Sequence, residues 1–286
     1  MNQLPEKPSG KGGGWVAKTA VFATTAALAP LIYSLRIEPQ KLTIESVAIP
    51  IPKLHPALEG FRIVQLSDFH LHPHTQLPLI ERAVAQANAL RPDLVVLTGD
   101  FVLDYIESIF DLAPVLGQLN ARYGVFCIMG NHDVKMNDII IPRGLRDERL
   151  HVLRNEGVML SVGAGKLYLA GVDDGVYGRP NLLQAMAKWQ PGATTILLAH
   201  EPDFADAYHH DPRIALQLSG HTHGGQVNLP GYGPLILPRF GKKYHTGLYR
   251  LQQMWLYTNR GIGVGGIPVR FNCPPEITEI TLTRGE

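Results

Sequence analysis

Five short apolar runs in this chain stop at side chains able to bind a metal. "FRIVQLSDFH" ends in Asp68 and His70, "PDLVVLTGD" in Asp100, "GVFCIMGNH" in Asn131 and His132, "TTILLAH" in His200, and "IALQLSGHTH" in His221 and His223. Asp68, His70, Asp100, Asn131, His200, His221 and His223 together offer two carboxylates, four imidazoles and one amide, all oxygen or nitrogen donors and none sulfur. Taken singly, an Asp after a strand is ordinarily a turn or cap residue, and a single histidine there is equally bland. Five independent runs ending this way point to a shared site. Seven donors exceed what one zinc or iron takes and suit two ions sharing a bridging carboxylate. Such a pair is a known device for in-line displacement at phosphorus. In extended chain, residues i and i+2 face one side, so Asp68 with His70, and His221 with His223, can address one centre or two adjacent ones. The glycines after His223 let the backbone bend beside them.

The elements that carry these residues are legible in the same stretches. Each run is short, rich in Val, Ile and Leu, and bounded by Gly or Pro, which predicts a strand buried on both faces. Ile80, Ala83, Val84, Ala87 and Leu90 recur at helical spacing, and residues 107–120 and 202–210 are further helix candidates. Strands alternating with helices predict a layered α/β domain, with its site at the carboxyl ends of the strands.

Composition supports a sizeable core: 45% of the 286 residues are hydrophobic and 18% charged. A formal net charge of +1 gives no reason to expect nucleic acid or another polyanion as the main partner. The two cysteines, Cys127 and Cys273, are too few for a disulfide framework or a thiolate zinc site. Cys127 reads as a buried small hydrophobe and Cys273 shows no evident role.

The first 41 residues read as a separate unit, with the catalytic domain at 42–286. A polar, glycine-rich lead with Lys7, Lys11 and Lys18 precedes an uncharged run at 19–35. That run is at the short limit for a membrane span, and is read as an N-terminal hydrophobic anchor helix; a cleaved signal or a soluble amphiphilic lead are the alternatives. Basic residues on both sides leave orientation open, with a lean toward a catalytic domain outside the cytoplasm.

The motifs "SDFH", "GD", "GNHD", "LAH" and "SGHTHGGQ", in that order, resemble the calcineurin-like metallophosphoesterase superfamily. The tail "TNRGIGVGGIPVRFNCPPEITEITL" resembles its bacterial branch of membrane-associated phosphodiesterases and UDP-2,3-diacylglucosamine pyrophosphohydrolases. The resemblance implies a four-layer α/β/β/α sandwich and two divalent transition metal ions (Mn, Fe or Zn). Asp68, His70, Asp100 and His223 would hold the first ion; Asp100 would bridge to a second held by Asn131, His200 and His221. His132 would act on the leaving group or on transition-state charge. An aspartate after the "GD" motif orients that histidine in many relatives, and Asp104 is the nearest candidate, at a different spacing. The arginine of the protein-phosphatase pattern is absent there, which counts against a phosphoprotein substrate.

Arg260, Arg270 and His72 are candidates to contact substrate, since phosphate is commonly gripped by fixed guanidinium charge. His74 reads as solvated. The loop "LPGYGPLILPRFGKKYH" reads as a Pro/Gly-rich hairpin, with contact to a membrane surface as the alternative. The expected activity is hydrolysis of a phosphodiester or pyrophosphate bond, on a lipid-linked substrate. Soluble nucleotides or phosphomonoesters are the second reading, and a non-catalytic binding module the third.

Overall fold

A computed structural model describes residues 28–285. In chain order the strands are β1 (Thr43–Pro52), β2 (Arg62–Leu66), β3 (Leu94–Leu97), β4 (Val125–Cys127), β5 (His151–Val152), β6 (Glu156–Val162), β7 (Gly165–Gly171), β8 (Thr194–Leu198), β9 (Ile214–Ser219), β10 (Asn228–Leu229), β11 (Gly233–Pro234), β12 (Gly247–Leu251), β13 (Met254–Thr258) and β14 (Glu276–Gly285). They form two mixed six-stranded sheets, β1-β14-β2-β3-β4-β5 and β12-β13-β9-β8-β7-β6, plus the two-stranded β10-β11 hairpin. β2, β3 and β4 pair in parallel, as do β7, β8 and β9.

All five strands expected from the apolar runs are present, and alternation explains how they layer. In β2, Ile63 packs between the sheets while Val64 and Leu66 pack outward under helices. The inter-sheet core joins Ile63, Val96 and Phe126 of one sheet to Leu169, Ile196 and Leu218 of the other. Removing each such side chain from water contributes about 1.5–3 kcal/mol. Outside the first sheet lie α1 (Leu77–Ala89), α2 (Ser108–Leu116), α3 (Asn131–Asn137) and α4 (Ile140–Asp147); outside the second, the short α5 (Leu182–Ala185) and α6 (Ala205–Tyr208). Four layers result, in the order α/β/β/α.

The helices follow local chemistry. α1 starts with a proline in its first turn and buries Leu79, Ile80, Ala83, Val84 and Ala87, the apolar stripe read from the sequence. The helix expected over 107–120 runs through Pro114 and stops at Leu116, where the chain tightens to three-residue bonds, Gln118 N–H to the Val115 carbonyl and Leu119 N–H to the Leu116 carbonyl. The stretch 202–210 divides into a 3-10 turn, Pro202–Phe204, and the single turn of α6. Of the stretch 229–245 expected as a hairpin, only the start forms one, where β10 pairs with β11; residues 235–245 carry no strand.

Of the anchor expected over 19–35, residues 19–27 lie outside the described residues. From residue 28 the chain is α-helical to 32, π-helical over Tyr33–Ile37 and 3-10 over Glu38–Gln40. Among the described residues no helix is long and apolar enough to cross a membrane.

Candidate metal centre

The site lies across the carboxyl ends of both sheets. β2 leads to Asp68 and His70, β3 to Asp100, β4 to Asn131 and His132, β8 to His200, and β9 to His221 and His223. Donor atoms converge in three overlapping groups: Asp68, His70 and His223; His70, Asp100 and His132; and Asp100, His200 and His221. Asp100 sits at the overlap, its Oδ2 lying 3.4 Å from His70 Nε2 and 3.2 Å from His200 Nε2. Asp68 Oδ1 lies 3.5 Å from His223 Nε2 and 3.9 Å from His70 Nε2. Asn131 Oδ1 completes the far side, 2.9 Å from His221 Nδ1.

The residue pairs converge for a different reason from strand alternation. Asp68, His70, Asp100, His221 and His223 all lie past their strand ends with positive φ, between 45° and 72°. Left-handed turns, not extended chain, aim these donors. Such conformations cost of order 1–3 kcal/mol each in non-glycine residues and concentrate at functional sites. Two glycines are needed for close approach: a Cβ at Gly220 would collide with Asp68 and Ser67, and one at Gly130 with Asp100.

Supporting hydrogen bonds fix tautomers and carboxylates. His200 Nδ1 donates to the Thr98 carbonyl at 2.6 Å, which turns Nε2 toward Asp100. His221 Nε2 donates to the Arg239 carbonyl at 2.8 Å, leaving Nδ1 as a lone pair. The backbone N–H of His221 bonds both Asp68 oxygens, and that of His132 bonds Asp100 Oδ1. Below the donors, Gln65 on β2 reaches across the sheets to the Ser219 carbonyl and the Thr98 hydroxyl. Asp133 accepts N–H bonds from Gly130, Phe101 and Val102 and so ties the "GNHD" turn to the "GD" loop. Gln65 and Asp133 were not singled out in the sequence; a carboxylate three residues into a helix start was the available signal for Asp133.

The electrostatics are those of a cluster built for cations. Burial lowers His70 to about 3 and His221 to about 4, and takes His223 well below the ordinary range, so all three are neutral ligands at pH 7. Burial raises Asp68 to about 6, with Asp100 adding to it against the pull of His200. At His200, burial opposes the imidazolium but the Asp100 carboxylate outweighs it and holds the pKa well above normal. That proton occupies the place a cation would take. Burial, and then Asp100, push Asp133 up to about 8 against its three N–H donors. The site residues fit a metal pair. Two facing acceptors, His221 Nδ1 and Asn131 Oδ1, have no proton to share, and the buried Nε2 of His200, turned toward Asp100, is without a well-aligned hydrogen-bond partner.

His70, Asp100, Asn131, His221 and His223 line a pocket of about 470 Å³. Its other wall is apolar: Val227, Leu235, Ile236, Pro238 and Ile267. His132 lines it too, its ring edge-on to that of His70 at 4.8 Å between centroids. Three residues expected at the substrate lie elsewhere. Arg270 is 0% exposed and its guanidinium donates to the carbonyls of Arg260, Gly261, Gly263 and Cys273. Arg260 pairs with Glu45 at 2.6 Å and Glu276 at 2.8 Å, joining β1 to β14. His72 Nδ1 meets the Ser108 hydroxyl at 3.1 Å. None of the three lines the pocket. Asp104 is exposed, as is His74. Cys127 is buried as expected, and Cys273, without an evident role in sequence, donates from Sγ to the His223 carbonyl at 3.2 Å.

Comparison with known proteins agrees with this geometry. The calcineurin-like phosphoesterase family matches residues 61–225. An uncharacterized metallophosphoesterase of Bacillus subtilis, YkuE, is 39% identical over 250 residues, covering 86% of this chain and 85% of that one. The phosphodiesterase YaeI of Escherichia coli is 31% identical over 230 residues, covering 78% and 82%. A Danio rerio transmembrane protein with a metallophosphoesterase domain is 34% identical over 271 residues, covering 90% of this chain and 61% of that protein.

Proposed function

The chain belongs to the calcineurin-like metallophosphoesterase family and is a metal-dependent phosphoesterase, and from that premise we propose that it hydrolyses a phosphodiester or pyrophosphate bond in a substrate carrying a large apolar group. One observation carries the substrate reading: a pocket whose floor is a buried cluster of carboxylates and imidazoles and whose facing wall is aliphatic. A phosphoryl group suits the first surface and an acyl or other hydrocarbon part the second. The Escherichia coli relative, a phosphodiesterase, supports the bond type.

In this reading Asp68, His70, Asp100 and His223 would hold one divalent ion, and Asp100, Asn131, His200 and His221 the other. Ions so held supply Lewis acidity, making water acidic enough to attack near neutral pH and offsetting phosphoryl charge. The chain's own residues do the rest. Asp100 sets the spacing of the two groups of donors, and its fixed position follows from the His132 backbone N–H on Oδ1. The Thr98 and Arg239 carbonyls hold the imidazoles of His200 and His221 in the orientation that presents the ligand nitrogen. The His132 imidazole, on the pocket wall and outside the donor set assigned to the ions, delivers a proton to the departing oxygen. The aliphatic wall excludes water from the hydrocarbon side and orients the substrate with its phosphorus toward the floor.

The test is a comparison of substrates on manganese-loaded, full-length protein in detergent. A bis-aryl phosphodiester, an acylated phosphodiester, a phosphomonoester, a UDP-diacylglucosamine-type pyrophosphate and its deacylated counterpart are hydrolysed side by side. The expected order of kcat/KM places the acylated pyrophosphate or an acylated diester first and the monoester last. Preference for the monoester, or indifference to the acyl chains, would overturn the substrate reading.

A further inference from the structure

The apolar wall of the pocket does not end at its mouth. Ile236 is 74% exposed, Tyr232 78% and Ile267 55%, and Leu229 and Leu235 are exposed beside them. A second exposed apolar surface comes from the leading helical segment, where Leu28, Leu31, Ile32, Leu35 and Ile37 all face solvent. The two surfaces meet at one loop. Gly265, Gly266 and Ile267 line the pocket, while Val264 and Pro268, on either side of them, line a neighbouring cavity together with Leu35 and Arg36. The leading segment is fastened to this loop region rather than draped near it. The Arg270 N–H donates to the Ser34 carbonyl, and the Glu38 carboxylate, 2% exposed, accepts from the Cys273 N–H. Gln226, three residues from His223, in turn clamps the carbonyls of Ile267 and Val269.

We infer that these two surfaces form one face that lies on a phospholipid bilayer, with the mouth of the pocket opening at the membrane surface. The occupant follows from what continues into the face. Residues 19–35 carry no charge, and their described portion, from 28, leads straight onto the exposed apolar residues. Arg36 and Lys41, both exposed, follow immediately, where basic side chains meet lipid headgroups. A substrate anchored in the bilayer would then present its phosphorus to the donors without leaving the membrane. The inference builds on the apolar-substrate reading above and names where such a substrate is met.

The experiment uses full-length protein added to vesicles of equimolar phosphatidylcholine and phosphatidylglycerol. Cys127 and Cys273 are 0% and 1% exposed, so a single introduced cysteine takes an environment-sensitive fluorophore. Tyr232→Cys and Ile236→Cys probe the face; Leu183→Cys, 80% exposed on the helix covering the other sheet, is the control. Both face probes should shift to the blue and lose the larger part of their emission to lipid-borne nitroxides, while the control stays unchanged. Overturning results are no vesicle binding, face probes that remain wet on bound protein, or probes shielded yet unquenched by the nitroxides, which would place a second copy of the chain on the face. Hydrolysis of the bis-aryl phosphodiester, measured with wild-type protein on the same vesicles, keeps the outcomes separate. Quenching without hydrolysis leaves the docking face standing and removes the proposed activity; hydrolysis without quenching does the reverse.

Discussion

His221 Nδ1 and Asn131 Oδ1, 90 residues apart in sequence and delivered by different sheets, lie 2.9 Å from each other with no hydrogen between them to share. His221 spends its one N–H on the Arg239 carbonyl. Two lone pairs held face to face in a buried site repel each other unless a cation lies beside both. The seven-donor cluster is therefore costly by itself and becomes favourable when loaded, which makes loading, stability and activity rise and fall together.

Asp100 is where the two donor groups overlap, so Asp100→Ala should remove the bridge. Hydrolysis should fall by about three orders of magnitude, corresponding to loss of several kcal/mol of charge stabilisation. The same variant should show a smaller thermal shift on adding Mn(II) than wild type, measured by scanning calorimetry.

His132 touches the pocket without belonging to the assigned donor set. His132→Ala should keep its metal content by elemental analysis while kcat falls about 10²–10⁴-fold. Substrates with a good aryl leaving group should suffer least, since they need least help from a proton donor.

Asp68 gives the pH dependence. Burial raises it from 3.8 to about 6, so the metal-free fold holds a proton there that the unfolded chain has already lost. Its contribution to metal-free stability is thus present below pH 4 and lost as pH rises through about 6. A bound cation needs the carboxylate and competes with that proton. Apparent metal affinity should fall as pH drops, most steeply below about 6 where the Asp68 proton competes as well, and should go on rising above 6 because the His200 proton must also be displaced. Isothermal titration with Mn(II) between pH 5 and 8 measures this; His70 and His221, already neutral there, add no further step.

Arg270 separates a framework role from a substrate role. Its guanidinium ties four backbone carbonyls around the 260–273 loop, and a lysine ammonium cannot reach all of them. Arg270→Lys should lower stability in denaturant titration by about 1–3 kcal/mol for each buried carbonyl left without its donor. An unchanged midpoint with a raised KM would instead return Arg270 to the substrate.

Much of this site was legible because its chemistry is local: each donor sits within a few residues of an apolar run, and strands read as apolar runs. Four layers follow once five such strands must bury both faces. Three things were not legible for one physical reason, that side-chain partners are set by tertiary placement. Arg260 and Arg270 read as free cations in sequence, yet acidic residues far along the chain and local carbonyls claim them. Gln65 reads as one polar residue in a strand, yet it crosses between the sheets to join the strands of Asp68 and His221. The turns at Asp68, His70, His221 and His223 are left-handed, which spacing does not reveal.

The central claim is a pair of ions in one seven-donor site. Full-length protein, stripped by chelator and reloaded with Mn(II), should bind two ions per chain by elemental analysis and regain bis-aryl phosphodiesterase activity only as the second is filled. One ion per chain at full activity, or activity that survives the chelator, would contradict it.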